Sequence, residues 1–247
     1  MKIKLLAAAV ALSASAFAVN ATPVDVSGAN GEATLQDIIN GITVGGVSSI
    51  DVNLNQAAPD EVWVNTDSGQ TPTRFVAEIA GNAAINSFGI YDPNDITKNY
   101  TLFGGSATAG AMTSFGIDSD GSVYADIGGF SDTGIDFSST SFGFFMTNGT
   151  DTFYSEKSKN GGEDQMVAFQ GTGADTINLP GFGGDAAWTA GGWLLAFEDQ
   201  LYSNSDKDFN DLVVFIESAM PVPEPGTLAL LGLGLAGLGA ARRRQKA

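Results

Sequence analysis

The segment of this sequence best suited to chemistry is an acidic stretch between two apolar runs, residues 198–211. It holds five carboxylates, three side-chain amides and one lysine. Carboxylates this dense repel one another unless they are solvated or bridged, and oxygen-only ligands suit Ca²⁺, which takes six to eight of them. We therefore predict a Ca²⁺ site whose ligands come from both ends of the stretch: Glu198, Asp199, Asp206, Asp208, Asn210 and Asp211.

The spacing of these residues does not fit an EF-hand. Counted from Asp206, the twelfth position is Glu217, but the sixth position, which needs glycine, is Asp211. Residues 212–216 form an apolar strand by composition, which would carry Glu217 roughly 20 Å beyond Asp211. The sequence also leaves a structural alternative open, in which these side chains cap turns and accept hydrogen bonds from backbone amides.

Short apolar runs separated by Gly, Asn, Asp and Ser predict the strands that must position this stretch. Many short strands of this kind indicate an antiparallel, jelly-roll-like β-sandwich. Residues 33–40, with apolar side chains at helical spacing, predict one short N-terminal helix that ends at Gly41. The predicted strands are residues 50–54, 61–64, 74–79, 100–103, 122–127, 141–146, 151–154, 166–169, 193–197 and 212–216.

The composition excludes most catalytic chemistries. The chain has no cysteine and no histidine, which removes thiol nucleophiles, Ser-His-Asp triads and nearly every zinc site. Residues 22–222 hold 27 of the 28 acidic residues but five of the 11 basic ones, which leaves this body with a net charge of −22. Such an anionic surface excludes nucleic acid as a partner, since a phosphate backbone needs a basic surface. We predict that the protein is not an enzyme.

The N-terminus has the features of a secretory signal peptide. Lys2 and Lys4 precede an apolar run, and Ala16-Phe17-Ala18 and Val19-Asn20-Ala21 each offer a small-residue cleavage site. We assign residues 1–21 to the signal peptide and residues 22–219 to an exported acidic domain.

The C-terminus, residues 220–247, combines three features: Pro223-Glu224-Pro225, an uncharged apolar run over residues 226–241, and Arg242-Arg243-Arg244. The run predicts a single transmembrane helix of roughly 24 Å, a little short of the ~30 Å hydrocarbon core. The segment resembles the PEP-CTERM sorting signal of Gram-negative bacteria. That resemblance implies an exosortase as partner, a transient stay in the inner membrane, removal of the tail, and a final place at the cell surface or outside the cell.

The body carries a second resemblance. Phe197-Glu198-Asp199, followed by residues 205–211 with the sequence Ser-Asp-Lys-Asp-Phe-Asn-Asp, is similar to the signature of an uncharacterised β-rich domain of bacterial surface proteins. The resemblance extends over residues 62–217. Domains of this kind frequently accompany PEP-CTERM tails and bring no established enzymatic activity.

These features favour a non-enzymatic surface or matrix protein, associated with exopolysaccharide and biofilm, that binds Ca²⁺. One alternative is a carbohydrate-binding module attached to exopolysaccharide, which needs an exposed tryptophan among Trp63, Trp188 and Trp193. Another is a glycoside hydrolase, which needs two carboxylates about 5–9 Å apart in a cleft.

Overall fold

A computed structural model describes residues 23–28, 31–66, 69–77, 85–126 and 128–222. Within these ranges the chain forms one α-helix and fifteen short strands. In chain order they are α1 (Leu35–Ile42), β1 (Trp63–Asn65), β2 (Thr71–Ala77), β3 (Ser87–Asp92), β4 (Asp95–Phe103), β5 (Met112–Ile117), β6 (Ser122–Asp126), β7 (Phe130–Asp136), β8 (Ser141–Thr147), β9 (Thr152–Tyr154), β10 (Met166–Gln170), β11 (Thr176–Ile177), β12 (Ala186–Ala187), β13 (Gly192–Phe197), β14 (Leu212–Glu217) and β15 (Ala219–Pro221).

The strands form two main antiparallel sheets and a small hairpin. The first sheet has the order β15-β1-β8-β3-β4, with β9 also paired to β8, and the second has the order β10-β13-β14-β2-β5-β6-β7. Strands β11 and β12 pair with each other, and Ile177 of β11 also forms an isolated bridge with Thr43. The predicted antiparallel, mainly β class with one short helix is confirmed, while the jelly-roll connectivity stays a prediction.

An aromatic core lies between the two sheets. Trp63 and Phe144 of the first sheet are fully buried and belong to the same apolar cluster as Phe115, Trp193 and other residues of the second sheet. The Trp63 ring meets Trp193 edge to face, with 5.1 Å between centroids. Because facing strands share this one cluster, the sheets pack as two layers of a sandwich.

A second apolar cluster covers the outer face of the second sheet. Successive side chains of a strand point to opposite faces, so Leu195 and Phe197 of β13 enter the inner core while Leu194 and Ala196 enter the outer cluster. Helix α1 lies over that outer face with its apolar stripe, and burial on both sides explains the unbroken apolar run of β13. The acidic stretch begins where this doubly buried strand ends.

Helix α1 begins at a capping box. The Thr34 hydroxyl accepts a hydrogen bond from the Asp37 backbone N–H at 3.1 Å, and the Asp37 carboxylate accepts from the Thr34 backbone N–H. The helix was predicted to end at Gly41 but continues to Ile42, because the Thr43 N–H closes the last turn on the carbonyls of Ile39 and Asn40.

The prediction of a strand over residues 50–54 is wrong. This segment is a turn, in which the Asp51 carboxylate accepts hydrogen bonds from the backbone N–H groups of Asn53 and Leu54. A side chain that satisfies backbone donors locally competes with strand pairing. The predicted transmembrane helix lies outside the described residues; within them, no helix is long and apolar enough to span a membrane.

Candidate metal centre

The acidic loop, residues 198–211, connects two paired neighbouring strands, β13 and β14. Phe197 and Leu212 are opposite each other in the ladder, so the loop leaves and re-enters the sheet at one point. At this neck the Asp199 backbone N–H donates to the Asp211 carboxylate at 2.8 Å. The loop then turns at residues 201–205, where the N–H groups of Asn204 and Ser205 both donate to the Leu201 carbonyl.

Two of the predicted ligands converge with a carboxylate that the sequence did not indicate. Asp206 and Asp208 of the loop lie beside Glu32, which is two residues before the N-cap Thr34 of α1, and one oxygen from each lies within 4.8 Å of the others. Glu32 and Asp206 are exposed, whereas Asp208 is buried. Three carboxylates at this separation form an anionic group with two exposed members and one buried member.

Two further predicted ligands bring buried oxygen atoms that lack hydrogen-bond partners. Glu198 is fully buried, and its Oε1 accepts from the Phe209 backbone N–H at 2.6 Å while its Oε2 has no partner within the described part of the chain. The Asn210 side-chain amide donates to Asp208 Oδ2 and to the Ala33 carbonyl, both at 2.8 Å. Asn210 Oδ1 is then left buried and without a partner in the same part of the molecule.

Such atoms are costly in a folded protein, since a buried acceptor without a partner loses its hydration with no compensation. The Asn210 side-chain amide donates to Asp208 and to the carbonyl of the residue after Glu32, so this side chain lies beside the three-carboxylate group. Glu198 accepts from the residue after Asp208, but it is not among the carboxylates that lie within 4.8 Å of one another. The three carboxylates and the Asn210 oxygen are all hard donors, and this donor set fits Ca²⁺.

The raised pKa values of carboxyl groups in the loop also indicate a place where a cation would be favourable. Burial raises the pKa of Glu198 to about 7 and that of Asp208 to about 6, and neighbouring carboxylates add to both effects. Burial also raises the pKa of Asp211 to about 8, with contributions from the carboxylates of Asp199, Glu198 and Asp208. The Lys207 ammonium lies over the Tyr202 ring at 4.8 Å, a cation–π contact that directs this charge towards the ring.

The remaining two predicted ligands, Asp199 and Asp211, lie at the neck of the loop and are not in the group of three. The structural alternative therefore describes part of the stretch correctly: Asp211 caps the neck and Asp208 accepts a hydrogen bond from the Asn210 backbone N–H at 3.2 Å. Glu32 was missed because it lies 174 positions before Asp206 in a Gly-rich segment, where no motif or spacing relates it to the loop.

The other residues singled out by the sequence divide into two sets. Trp63, Trp188 and Trp193 are all buried, so none of them forms an exposed platform for sugar stacking. The sorting residues Pro223, Glu224, Pro225, Arg242, Arg243 and Arg244 lie outside the described residues, as does the signal peptide.

Comparison with known families tests the two resemblances predicted from the sequence, that of the C-terminal tail and that of the body. Residues 221–244 match the family described as PEP-CTERM protein-sorting motif. The chain carries a PEP-CTERM sorting signal. The signal implies processing by an exosortase, export, and a cell-surface or extracellular fate.

Residues 138–219 match a domain of unknown function, DUF4114. The resemblance of the body to an uncharacterised domain is thereby confirmed over residues 138–219, which contain the whole acidic loop, while its extension back to residue 62 stays a prediction. Glu32 lies outside the matched residues. No curated protein and no solved structure matches the chain.

Proposed function

We propose that this protein is a non-enzymatic component of the bacterial cell surface or extracellular matrix whose acidic loop binds Ca²⁺. The observation that carries the proposal is the convergence of Glu32, Asp206 and Asp208 within 4.8 Å. The buried orphan oxygen of Asn210, whose side-chain amide donates to Asp208, offers a further donor beside this group. The sorting signal supports a location where Ca²⁺ is available.

The choice of Ca²⁺ rests on the donor chemistry. The side chains of Glu32, Asp206, Asp208 and Asn210 all offer oxygen, which suits a hard cation, and Ca²⁺ accepts six to eight oxygens in flexible geometry. Mg²⁺ demands a near-ideal octahedron and keeps several of its waters, so it makes less use of buried carboxylate and amide oxygens. The anionic body would also draw cations towards this surface.

The route to the surface follows from the tail. In the proposed sequence of events the apolar segment holds the protein in the inner membrane until an exosortase cuts near Pro223-Glu224-Pro225, after which the domain is released or attached outside. Association with exopolysaccharide and biofilm rests on the resemblance of the tail alone. A sugar-binding role has less support, because all three tryptophans are buried.

Calcium titration of the processed protein recovered from cells tests the metal site. Extracellular Ca²⁺ modules bind with Kd of about 10⁻⁴–10⁻³ M. At 100 times Kd, ligand binding stabilises the folded state by about 2.7 kcal/mol, which raises the melting temperature of a domain this size by about 5–10 °C. We expect this shift with Ca²⁺, a smaller one with Mg²⁺, and reversal by a chelator.

The matched variants are Asp208→Asn and Asp132→Asn. Both remove one negative charge, but Asp208 belongs to the carboxylate group and Asp132 is an exposed residue of β7. We expect Asp208→Asn to weaken Ca²⁺ binding by about 10- to 100-fold, the range found even for outer-shell partners, and Asp132→Asn to bind normally. A calorimetric titration without heat and a melting temperature unmoved by 10 mM Ca²⁺ would overturn the proposal.

A further inference from the structure

The first described segment, residues 23–28, is an extended arm that belongs to neither sheet. Two side-chain amides form hydrogen bonds with its backbone N–H and C=O groups, as a neighbouring strand would. Gln56 accepts from the Val24 N–H and donates to the Val24 carbonyl, and Asn53 does the same for Val26, with all four distances between 2.8 and 3.0 Å. The arm is thus docked on the turn at residues 51–56 without a neighbouring strand.

The other side of the arm contacts the acidic loop. The Ser27 N–H donates to the Lys207 carbonyl at 2.7 Å, and the Tyr202 hydroxyl donates to the Asp25 carbonyl at 3.0 Å. Further along the chain, Asn210 donates to the Ala33 carbonyl. The arm therefore lies between the turn at residues 51–56 and the acidic loop, and it fills the space between them.

What lies beneath the arm is the outer apolar cluster. Val26 of the arm is buried in the same cluster as Phe209 of the acidic loop and Leu35 of α1. Docking of the arm therefore adds Val26 to the apolar cluster that contains the fully buried Phe209.

The carboxylate group joins the same two parts of the chain. Glu32 comes from the segment that links the arm to α1, whereas Asp206 and Asp208 come from the acidic loop near the C-terminal end of the domain sequence. Without a cation these three charges repel, and the repulsion acts against docking. With a cation between them the same charges hold the two parts together.

We infer that Ca²⁺ at this site clamps the N-terminal arm onto the acidic loop, so that docking of the arm depends on Ca²⁺. The inference rests on the proposed Ca²⁺ site and adds what binding there does to the molecule. Because the sorting signal implies export, the clamp closes after both ends of the domain have reached a compartment where Ca²⁺ is plentiful, and residues 23–28 stay undocked until then.

Hydrogen exchange of the processed protein, measured by mass spectrometry with Ca²⁺ and with chelator, tests the clamp. The reporters are the amides of Val24, Val26 and Ser27, each of which donates a hydrogen bond made on docking. At 100 times Kd, we expect their exchange to slow by up to about 100-fold. Amides of the β3–β8 ladder, which is part of the first sheet, serve as the internal reference and are expected to respond less.

The matched variants are Glu32→Gln and Asp25→Asn. Both lie in the N-terminal segment, both are exposed, and each loses one negative charge, but only Glu32 belongs to the carboxylate group. We expect Glu32→Gln to retain weakened Ca²⁺ binding through the loop while its arm exchanges at the same rate with and without Ca²⁺. Asp25→Asn should behave as the unchanged protein does.

The outcomes separate the clamp from the site itself. Calorimetric Ca²⁺ binding with unchanged exchange of the arm would overturn the clamp and leave the Ca²⁺ site standing. A Glu32→Gln protein whose arm still responds fully to Ca²⁺ would also overturn it. Absence of any Ca²⁺ binding would remove both the site and the clamp.

Discussion

The backbone of Gly28 passes directly against the side chain of Asp208: a Cβ atom placed on Gly28 would overlap the Cβ of Asp208. Gly28 also has a φ of +78°, in the region that glycine enters without steric cost. The arm can therefore approach the acidic loop closely only because this residue has no side chain. The contact places Glu32, four residues later, within reach of Asp206 and Asp208.

We expect Gly28→Ala to loosen the arm and weaken Ca²⁺ binding. A positive φ costs alanine about 1–2 kcal/mol, and overpacking against Asp208 adds about 1–3 kcal/mol. Gly45→Ala is the control, since Gly45 has a φ of +95° and open space around it. Melting curves and calorimetry should show the larger loss of stability, and about tenfold weaker Ca²⁺ binding, for Gly28→Ala. Equal effects of the two substitutions would mean that the close approach is unimportant.

Replacing Glu198 by glutamine should separate the Ca²⁺-free and Ca²⁺-bound states. A glutamine oxygen can still accept the Phe209 N–H, while a buried negative charge that the carboxylates of Asp208 and Asp206 repel is removed. Burying a charge costs more than burying a neutral amide, so we expect Glu198→Gln to melt higher than the unchanged protein in chelator at pH 8. Its further rise in melting temperature with Ca²⁺ should be smaller, because one negative charge close to Asp208 and Asp206 is lost.

Glu217→Gln, at an exposed position at the end of β14, is the matched control for this experiment and should leave both melting temperatures in place. If Glu198→Gln instead lowered stability equally with and without Ca²⁺, then Glu198 would be a purely structural cap for Phe209.

The sequence allowed the strands with strong apolar signals to be predicted. Strands β8, β13 and β14 are apolar runs buried on one or both faces, and each was placed within about one residue. Strands β3, β5 and β7 were missed, because each of them mixes glycine and polar residues with apolar ones. Their pairing depends on neighbouring strands, which local composition does not reveal.

Only those residues of the candidate site that belong to the acidic loop could be predicted from the sequence. The density of oxygen ligands at residues 198–211 identified Asp206 and Asp208 of the carboxylate group and Asn210 beside it. The sequence could not show that Asp199 and Asp211 would be used at the neck of the loop, since that follows from the pairing of β13 with β14. It could not supply Glu32 either, because the arm reaches the loop through tertiary contacts.

We expect the stability of the fold to depend on pH through a second buried group of acids, which surrounds Asp60 and is distant in sequence from the acidic loop. Burial raises the pKa of Asp60, and the carboxylates of Asp164 and Glu61 raise it further while the Lys157 ammonium lowers it. Lys157 is paired with Asp164 Oδ2 at 2.8 Å. Because the pKa is raised in the folded state, stability from this group is complete below the unfolded pKa of about 3.9 and is lost as pH rises through the folded value.

The side chain in Asp60→Asn cannot ionise. This variant should therefore melt at a higher temperature than the unchanged protein at pH 8, and the two melting temperatures should differ little at pH 4. Each tenfold weakening of the acid corresponds to about 1.4 kcal/mol, or about 3–6 °C for a domain of this size. The exposed Asp132→Asn serves as the control, and its difference from the unchanged protein should stay small across the range. A difference for Asp60→Asn that is constant with pH would contradict the raised pKa.

The sorting signal predicts a processing defect when its central acid is removed. Glu224 lies between Pro223 and Pro225 within the matched segment 221–244, and its carboxylate is the one charged group of the triplet. We expect Glu224→Ala to abolish cutting, so that the protein stays with the membrane fraction and keeps Arg242 to Arg244. Cell fractionation followed by mass spectrometry of the C-terminus measures both effects.

Gln245→Ala is the matched control for the tail, because residue 245 lies just beyond the matched segment and the substitution leaves the triplet and the arginines intact. This variant should be processed as the unchanged protein is. Since the apolar run has no charge over residues 226–241, an uncut tail retains the protein in the membrane whether or not its domain has folded. A Glu224→Ala protein found outside the cell without its arginines would show that cutting does not depend on the triplet, and the exosortase route would have to be abandoned.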